Sequence, residues 1–512
     1  MGFLSYLYCH CPCCIVETRF VMVFFAFFGM LLGYCQRSTL TIGIVEMVDQ
    51  KIKNATCPSD ITKSRVIKNI QGGKVAWSEG EQGYVLAAFF IGYIIAHLPA
   101  GILCDKYGPR YPLLIGYIIS TITTGLIPLG ATMVDHWWPV FILRVLQGSG
   151  QGGLIPALSS LVSRWIPSNE RTSVAGAIFS ATSIGQAFGT LCSGLMISRL
   201  ESWPVVFYFW AGIGVVYCLL ISFYVFSDPR AHPYIHESEL TYLKQMMQLK
   251  QDSNIPWKEI FADKCVYGIM LVQMSHDLII FTLSNNFSKY LNQVLGFPVL
   301  ENGLVSLIFL LLWFSSVLSG FLADVLIHKK NVNVTTLRKT YTAISNLGAF
   351  AFLMAAILVE CDRVASIALF SAAIFIKGMF FSGGKVNVVD ISLNHSGLMM
   401  SLINGFGAIS GFTASFVIGV IAEHNYFSEW RTVVYIIGGV QAITIIAYIG
   451  LSNANRSAWD YSEGEARVPP PYSWRKQLSD EDHQARLVKD AQAREDRARI
   501  AKEAKQAMRR TT

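Results

Sequence analysis

Twelve apolar stretches of span length divide the first 452 residues, and no other property of the chain limits its fold so severely. They cover about 20–46, 82–104, 111–132, 138–163, 172–198 and 204–226, then 265–291, 302–327, 338–359, 364–388, 397–422 and 430–452. About 20 apolar residues cross a bilayer core as a helix, so the sequence predicts an all-α polytopic membrane protein. Its twelve transmembrane helices form two pseudo-symmetric six-helix bundles, joined by a polar segment that contains Asp228-Pro229-Arg230 and a helix-like run from Glu237 to Lys250. The expected organisation is a cytoplasmic N-terminus (1–19), an N-terminal bundle (20–226), a cytoplasmic linker (227–264), a C-terminal bundle (265–452) and a charged cytoplasmic tail (453–512).

Charge confirms the division between body and tail. Of the 75 charged side chains, 23 fall in residues 453–512, which leaves the first 452 residues below 12% charged; soluble domains carry about 25%. A soluble enzyme, a disulfide-rich secreted scaffold and a single-pass receptor are thereby excluded. The tail follows Pro469-Pro470-Pro471, which stops any helix leaving the membrane. The run after Arg19 has no clear small-residue cleavage site and reads as a span rather than a signal peptide. Cys9, Cys11, Cys13 and Cys14 precede it; palmitoylation, metal binding and unmodified juxtamembrane thiols all remain open for them. No CxxC pair recurs at zinc spacing and no nucleophile stands with a base, so neither a resident metal, a cofactor nor an enzymatic activity is expected. The net charge of +7 reflects cytoplasmic loops rather than a nucleic-acid surface.

Lys and Arg in the short loops set the orientation. Lys106, Arg110, Arg164, Arg171, Lys329, Lys330, Arg338 and Lys339 all fall in loops on one side, which places both termini in the cytoplasm. One outer loop, 51–77, holds six basic residues, but a long translocated loop counts weakly. It also carries Asn54-Ala55-Thr56, a glycosylation acceptor at Asn54.

The loop after the second span reads Gly101-Ile-Leu-Cys-Asp105-Lys106-Tyr-Gly108-Pro-Arg110, and part of it recurs as Gly320-Phe-Leu-Ala-Asp324 after the eighth. This spacing resembles the signature G-x-L-x-D-x-x-G-x-R of the major facilitator superfamily with its degenerate second copy. The resemblance implies that Asp105, Arg110 and Asp324 form a conformational latch. The fourth span carries Arg144-Val-Leu-Gln147-Gly148-Ser-Gly150-Gln151-Gly152-Gly153. With Arg37, Phe89-Phe90-Ile-Gly92-Tyr93 and Trp203-Pro-Val-Val-Phe207-Tyr208, it resembles the anion/cation symporter family, which includes sialin, the vesicular glutamate transporters and the type I sodium/phosphate cotransporters. The resemblance covers about 19–451 and implies secondary-active transport of inorganic phosphate or organic anions by alternating access.

An Arg at a span centre costs about 2.5–3.5 kcal/mol on insertion scales, so it is retained where it faces a cavity or a partner. Arg37 and Arg144 lie centrally in the first and fourth spans, and a guanidinium binds both oxygens of a planar anion. Each could instead pair with a helix end or a buried acid. Residues 144, 147 and 151 share one helical stripe. Relatives that couple to protons resemble it but carry glutamates where this chain has Gln147 and Gln151, and an amide does not titrate near neutral pH. Glutamine at both positions resembles the type I branch, as do Ser275-His276, Glu301-Asn302-Gly303 and Arg338-Lys339.

His276 and Lys377 join the expected anion site; Glu46 and Asp277 join Gln147 and Gln151 as coupling candidates. A hydrogen-bonded structural His276, an Asp277 that neutralises Arg or Lys377 and Lys385, and a snorkelling or ion-paired Lys377 are the competing readings. Sodium symport is the expected coupling, with proton coupling or potential-driven flux as rivals and a chloride dependence open. The expected partners are a small anionic substrate and the lipid bilayer, with no nucleic acid; a monomer is compatible with the layout, and the plasma membrane is expected rather than a vesicular or lysosomal one. A non-transporting sensor with the same fold is the alternative of another class.

Overall fold

The computed structural model describes residues 17–48, 71–73, 75–133, 136–233, 235–246, 255–330, 332–392 and 395–461. The Asn54 acceptor, the cysteines at 9–14 and the tail beyond Tyr461 lie outside the described residues, as does the side chain of Asp105. The chain divides into two compact units, Met1–Ala454 and Asn455–Thr512. In the second, a short helical turn Ala458–Asp460 is closed by Arg456, whose Nε donates to Asp460 at 2.6 Å.

The first unit is a membrane-spanning bundle of helices. Its spans are α1 Thr18–Met47, α2 Glu79–Tyr107, α3 Arg110–Thr132, α4 in two pieces (Trp138–Gly152 and Leu154–Trp165), α5 Ser168–Leu200 and α6 Pro204–Tyr224. The second half has α7 Lys264–Gln293, α8 Val299–Ile327, α9 Val334–Leu358, α10 Arg363–Ile391, α11 Ser396–Ile421 and α12 Phe427–Leu451. Among the described residues, eleven are long and apolar enough to cross a membrane. The fourth, expected as one run, is interrupted at Gly153: Pro156 has no N–H to give Gly152, and its ring crowds that carbonyl. Between the halves, the linker forms Glu237–Met246 and Trp257–Ala262. Glu239 ties it to the N-terminal half, its carboxylate accepting from the backbone N–H groups of Thr18 and Arg19 at 2.9 Å each. That satisfies two of the orphan donors that open α1 and places negative charge at its positive end.

Large apolar side chains such as Phe24, Ile95, Ile122, Phe223, Ile443 and Ile446 point outward. In water such a surface would aggregate; in lipid it is the solvated face. Without a hydrophobic drive between helices, close backbone packing holds them together. The glycines of α4 divide this task. A Cβ at Gly148 would fall on the Phe89 carbonyl oxygen, and one at Gly152 near that of Tyr93, both on α2; one at Gly150 would meet the Gly116 carbonyl oxygen on α3. Gly92 answers from α2, where a Cβ would fall on the Val145 carbonyl oxygen. Two faces of α4 are thus pressed against backbones, and Arg144, Gln147 and Gln151 are left to the third.

Each half has a large apolar core, one built on α1 to α6, the other on α7 to α12 with Ala187 of α5 packed into it. A third cluster of Phe89, Phe90 and Ala408, with Phe281 and Phe412 against it, joins the halves. Gly148→Val should therefore force α2 and α4 apart and destabilise the N-terminal half by about 1–3 kcal/mol or more. Thermal unfolding of the detergent-purified protein measures this; a midpoint equal to wild type contradicts the packing argument.

Candidate functional site

Arg37 sits two-thirds of the way along α1, 5% exposed, in a box of aromatic rings. Its guanidinium carbon stands 4.6 Å from the centre of Phe89, 4.8 Å from Phe90, 4.8 Å from Phe281 and 5.5 Å from Tyr34. Such faces attract a desolvated cation by about 2 kcal/mol or more. They accept no conventional hydrogen bond, and Nη2 of Arg37 has no partner. Arg144, 1% exposed, stands 5.0 Å from the same Phe89 ring. Its Nη1 donates to Gln147 Oε1 at 2.6 Å, while its Nε has no partner.

The predicted stripe on α4 is present, and its two amides have defined work. Gln147 donates to Thr124 Oγ1 at 2.8 Å and to the Gln36 carbonyl at 3.4 Å. Gln151 donates to Ser120 Oγ at 2.9 Å, and that hydroxyl donates to Gln36 Oε1 at 2.7 Å. This network across α1, α3 and α4 fixes the rotamer of Arg144.

The C-terminal half supplies a second cluster. His276, 3% exposed, stacks on Phe380 with ring centres 3.9 Å apart and meets Phe381 edge-on at 5.6 Å; its Nδ1 has no partner. Asp277 Oδ2 accepts from Gln273 Nε2 at 2.8 Å, and a Cβ on Gly407 of α11 would collide with that carboxylate. Lys385 donates to Gln273 Oε1 at 3.2 Å and to Asn404 Oδ1. Lys377 is fully buried, with Nζ 2.5 Å from Asn346 Oδ1. Among the described residues, no carboxylate forms an ion pair with Arg37, Arg144, Lys377 or Lys385; Asp277 is near enough to Arg37, Lys377 and Lys385 to act on each electrostatically.

Two π-turns position the lysines. One, Ile344–Gly348 in α9, presents Asn346; the other, Phe381–Lys385 in α10, bends at Gly383, where φ is −97° and ψ −105°. A Cβ at Gly383 would press on Thr342 of α9. Arg338 bridges the bend: Nη1 donates to the Ser382 carbonyl and Nε to Asp390, each at 2.7 Å. Single-turn π segments recur at functional sites.

The other expected site residues lie elsewhere. Glu46 is nine residues beyond Arg37, about 13.5 Å along α1. Arg110 donates from Nη2 to the Ser222 carbonyl at 2.6 Å and from its backbone N–H to Ser227 Oγ at 3.2 Å, at the end of α6. Asp324 is exposed near the corresponding end of α8. Sequence reasoning set Lys385 beside Asp277 as a charge it could neutralise, but passed over Gln273 and Asn404. The available signal was the spacing of Gln273, Asp277 and Phe281, which puts all three on one stripe of α7.

Residues 26–359 match the family description "Major Facilitator Superfamily". A Drosophila melanogaster protein named "Putative inorganic phosphate cotransporter" is 30% identical over 88% of this chain and 88% of its own length. Human sialin is 29% identical over 87% of this chain and 91% of its own. The chain belongs to the major facilitator superfamily. Its relatives place it in the anion/cation symporter family, with the phosphate cotransporters, sialins and vesicular glutamate transporters. A crystal structure of a bacterial homologue of the human lysosomal transporter Spinster, inward-facing and occupied, shares the fold: TM-score 0.64 at 14% identity, over 86% of this chain and 97% of that one.

In this superfamily the two halves move against each other around a midplane site, so contacts between halves define the state. At the end where α2 begins and α7 ends, the halves are shut. Glu79 of α2 pairs with Lys289 of α7, both largely buried, and Gln293 donates to the same carboxylate at 3.3 Å. Gly83 and Gly419 bring α2 and α11 into backbone contact, and Tyr84 lies 5.8 Å from Phe416. One level deeper, Gln186 donates to the Ser284 carbonyl at 3.3 Å and Ser306 to the Ala187 carbonyl at 3.1 Å. Removing one partner of a buried ion pair is strongly destabilising to the state that holds it. In Glu79→Gln, a cysteine introduced at the buried Ser415 should react with a water-soluble maleimide roughly tenfold faster or more. An unchanged rate would show that the pair does not hold this end closed.

Proposed function

We propose that this protein is a secondary-active carrier of inorganic phosphate or small organic anions, which it moves by alternating access through a site containing Arg37, Arg144, His276 and Lys377. The observation that carries this reading is the charge balance at membrane depth. Arg37, Lys377 and Lys385 have one carboxylate near them, Asp277, and Arg144 stands beside Arg37 with none, among the described residues. Excess positive charge in a low-dielectric site is costly until an anion joins it, and the free guanidinium nitrogens of Arg37 and Arg144 are suited to receive one. Two of the relatives, the phosphate cotransporter and the vesicular glutamate transporter, are named for anions.

Coupling follows from energetics. Bringing one negative charge into a cell at about −100 mV costs about 2.3 kcal/mol, so uptake requires a co-moving cation. Gln147 and Gln151 do not titrate, and their amides are engaged in hydrogen bonds, which favours sodium over protons; Asp277 and Glu46 are the candidate carboxylates for coupling. We assign the plasma membrane, cytoplasmic termini and a monomeric working unit on the same reading.

Arg37→Ala and Arg144→Ala should each abolish anion uptake in proteoliposomes while the protein still reaches the membrane. Normal uptake by either variant removes that residue from the site. Wild-type uptake should follow an imposed sodium gradient more steeply than an imposed pH step, and the reverse order would replace sodium with the proton as coupling ion.

A further inference from the structure

On the carrier reading Asp277 is a candidate ligand of the co-moving cation, and its surroundings supply a second role. Its carboxylate is held by one neutral donor, Gln273, at 2.8 Å, and fits where Gly407 has no side chain. Gln273 turns its other end to Lys385, 3.2 Å away, and Asn404 of α11 accepts from the same ammonium. Lys385 and Lys377 of α10, Arg37 of α1, and Tyr34 and Tyr93 of α1 and α2 lie within electrostatic range of it. One turn along α7, Phe281 forms a wall of the Arg37 box. The carboxylate is therefore anchored by a relay rather than by a direct ion pair, and Asp277 and Lys385 are both partly exposed rather than sealed in a core.

We infer that Asp277 is a tethered counter-anion, which neutralises the Arg37–Lys385 cation set while the site is empty and is displaced from that role when a substrate anion enters. The inference rests on the anion-carrier reading. A carboxylate attached to the protein competes with the substrate at a high effective concentration, so it weakens anion binding and speeds release. It also lowers the net positive charge of the empty site, which eases the rearrangement of the unloaded halves. Once displaced, the carboxylate is available to a co-moving cation, which links anion entry to cation uptake.

Two measurements test this. The first is equilibrium binding of labelled inorganic phosphate to the purified full-length protein at fixed ionic strength. Asp277→Asn, which keeps shape and the contact with Gln273, should tighten binding roughly tenfold by removing one like charge from the site, and binding should lose its dependence on sodium. Equal or weaker phosphate binding by the variant overturns the inference. The second is a thermal-unfolding cycle without ligand, comparing Asp277→Asn, Lys385→Gln and the double variant. The single changes should each lower the midpoint, and the double variant should lie well above the sum of the two; strict additivity also overturns it. If neither wild type nor Asp277→Asn binds phosphate while the cycle shows coupling, the phosphate-carrier reading fails and the pair is a structural one.

Discussion

Two guanidinium groups share the ring of Phe89, and much of the N-terminal half exists to make that possible. Like charges at membrane depth repel each other and lose their hydration. Here the faces of Phe89, Phe90 and Phe281 replace water around Arg37, and Gln147 replaces it on one edge of Arg144. Phe89 can lie between the two arginines only because α2 and α4 approach to backbone contact through Gly92 and Gly148. A side chain at either glycine would widen the gap and move the ring. The same contacts that stabilise the bundle therefore set the spacing of its charges, and packing and recognition are not separable here.

The two halves solve the problem of buried charge differently. In the N-terminal half the cations are guanidiniums on regular helix, braced by a closed network through Gln36, Ser120, Thr124 and Gln151. In the C-terminal half they are ammonium groups on α10, which is bent at Gly383 and faced by a second π-turn in α9. A π-turn inserts one residue and frees a carbonyl; Arg338 collects that of Ser382 while paired to Asp390. The first half resembles a fixed wall, the second a jointed one with its joint clamped. A guanidinium holds a planar anion in one orientation, whereas an ammonium on a flexible stem tolerates several. Such a division suits a site that must grip a substrate and then let it go.

How much of this was legible in the sequence depends on how far apart the cooperating residues lie. The spans could be read because lipid demands long apolar runs, and Arg37 and Arg144 stood out because charge is so scarce in the body. The stripe of Arg144, Gln147 and Gln151 could be read because it lies within one helical period. The break at Gly153 was written in Pro156, yet 138–163 is long enough and apolar enough on balance to read as one span. The Gln273, Lys385 and Asn404 cluster was beyond reach: it needs α7, α10 and α11 to meet, and the π-turn rotates residues after Phe381 by about 100° from regular helical register. The Glu79 and Lys289 pair was hidden for a similar reason, since its members are separated by 210 positions and lie in opposite halves.

The replacement of acids by amides on α4 gains its meaning from the other half. A carrier that brings anions to a cationic site must manage the charge of that site in both its loaded and empty forms. An acid at position 147 or 151 would neutralise Arg144 while ionised, and the charge of the rigid half would then change with its protonation. Glutamine leaves the charge of the N-terminal half constant, because neither amide gains or loses a proton in the working range. Any compensation then has to come from the C-terminal half, where Asp277 is held through Gln273 rather than locked to a cation. Fixed positive charge on the rigid side and an adjustable negative charge on the jointed side place the electrostatic switch where the backbone itself is bent.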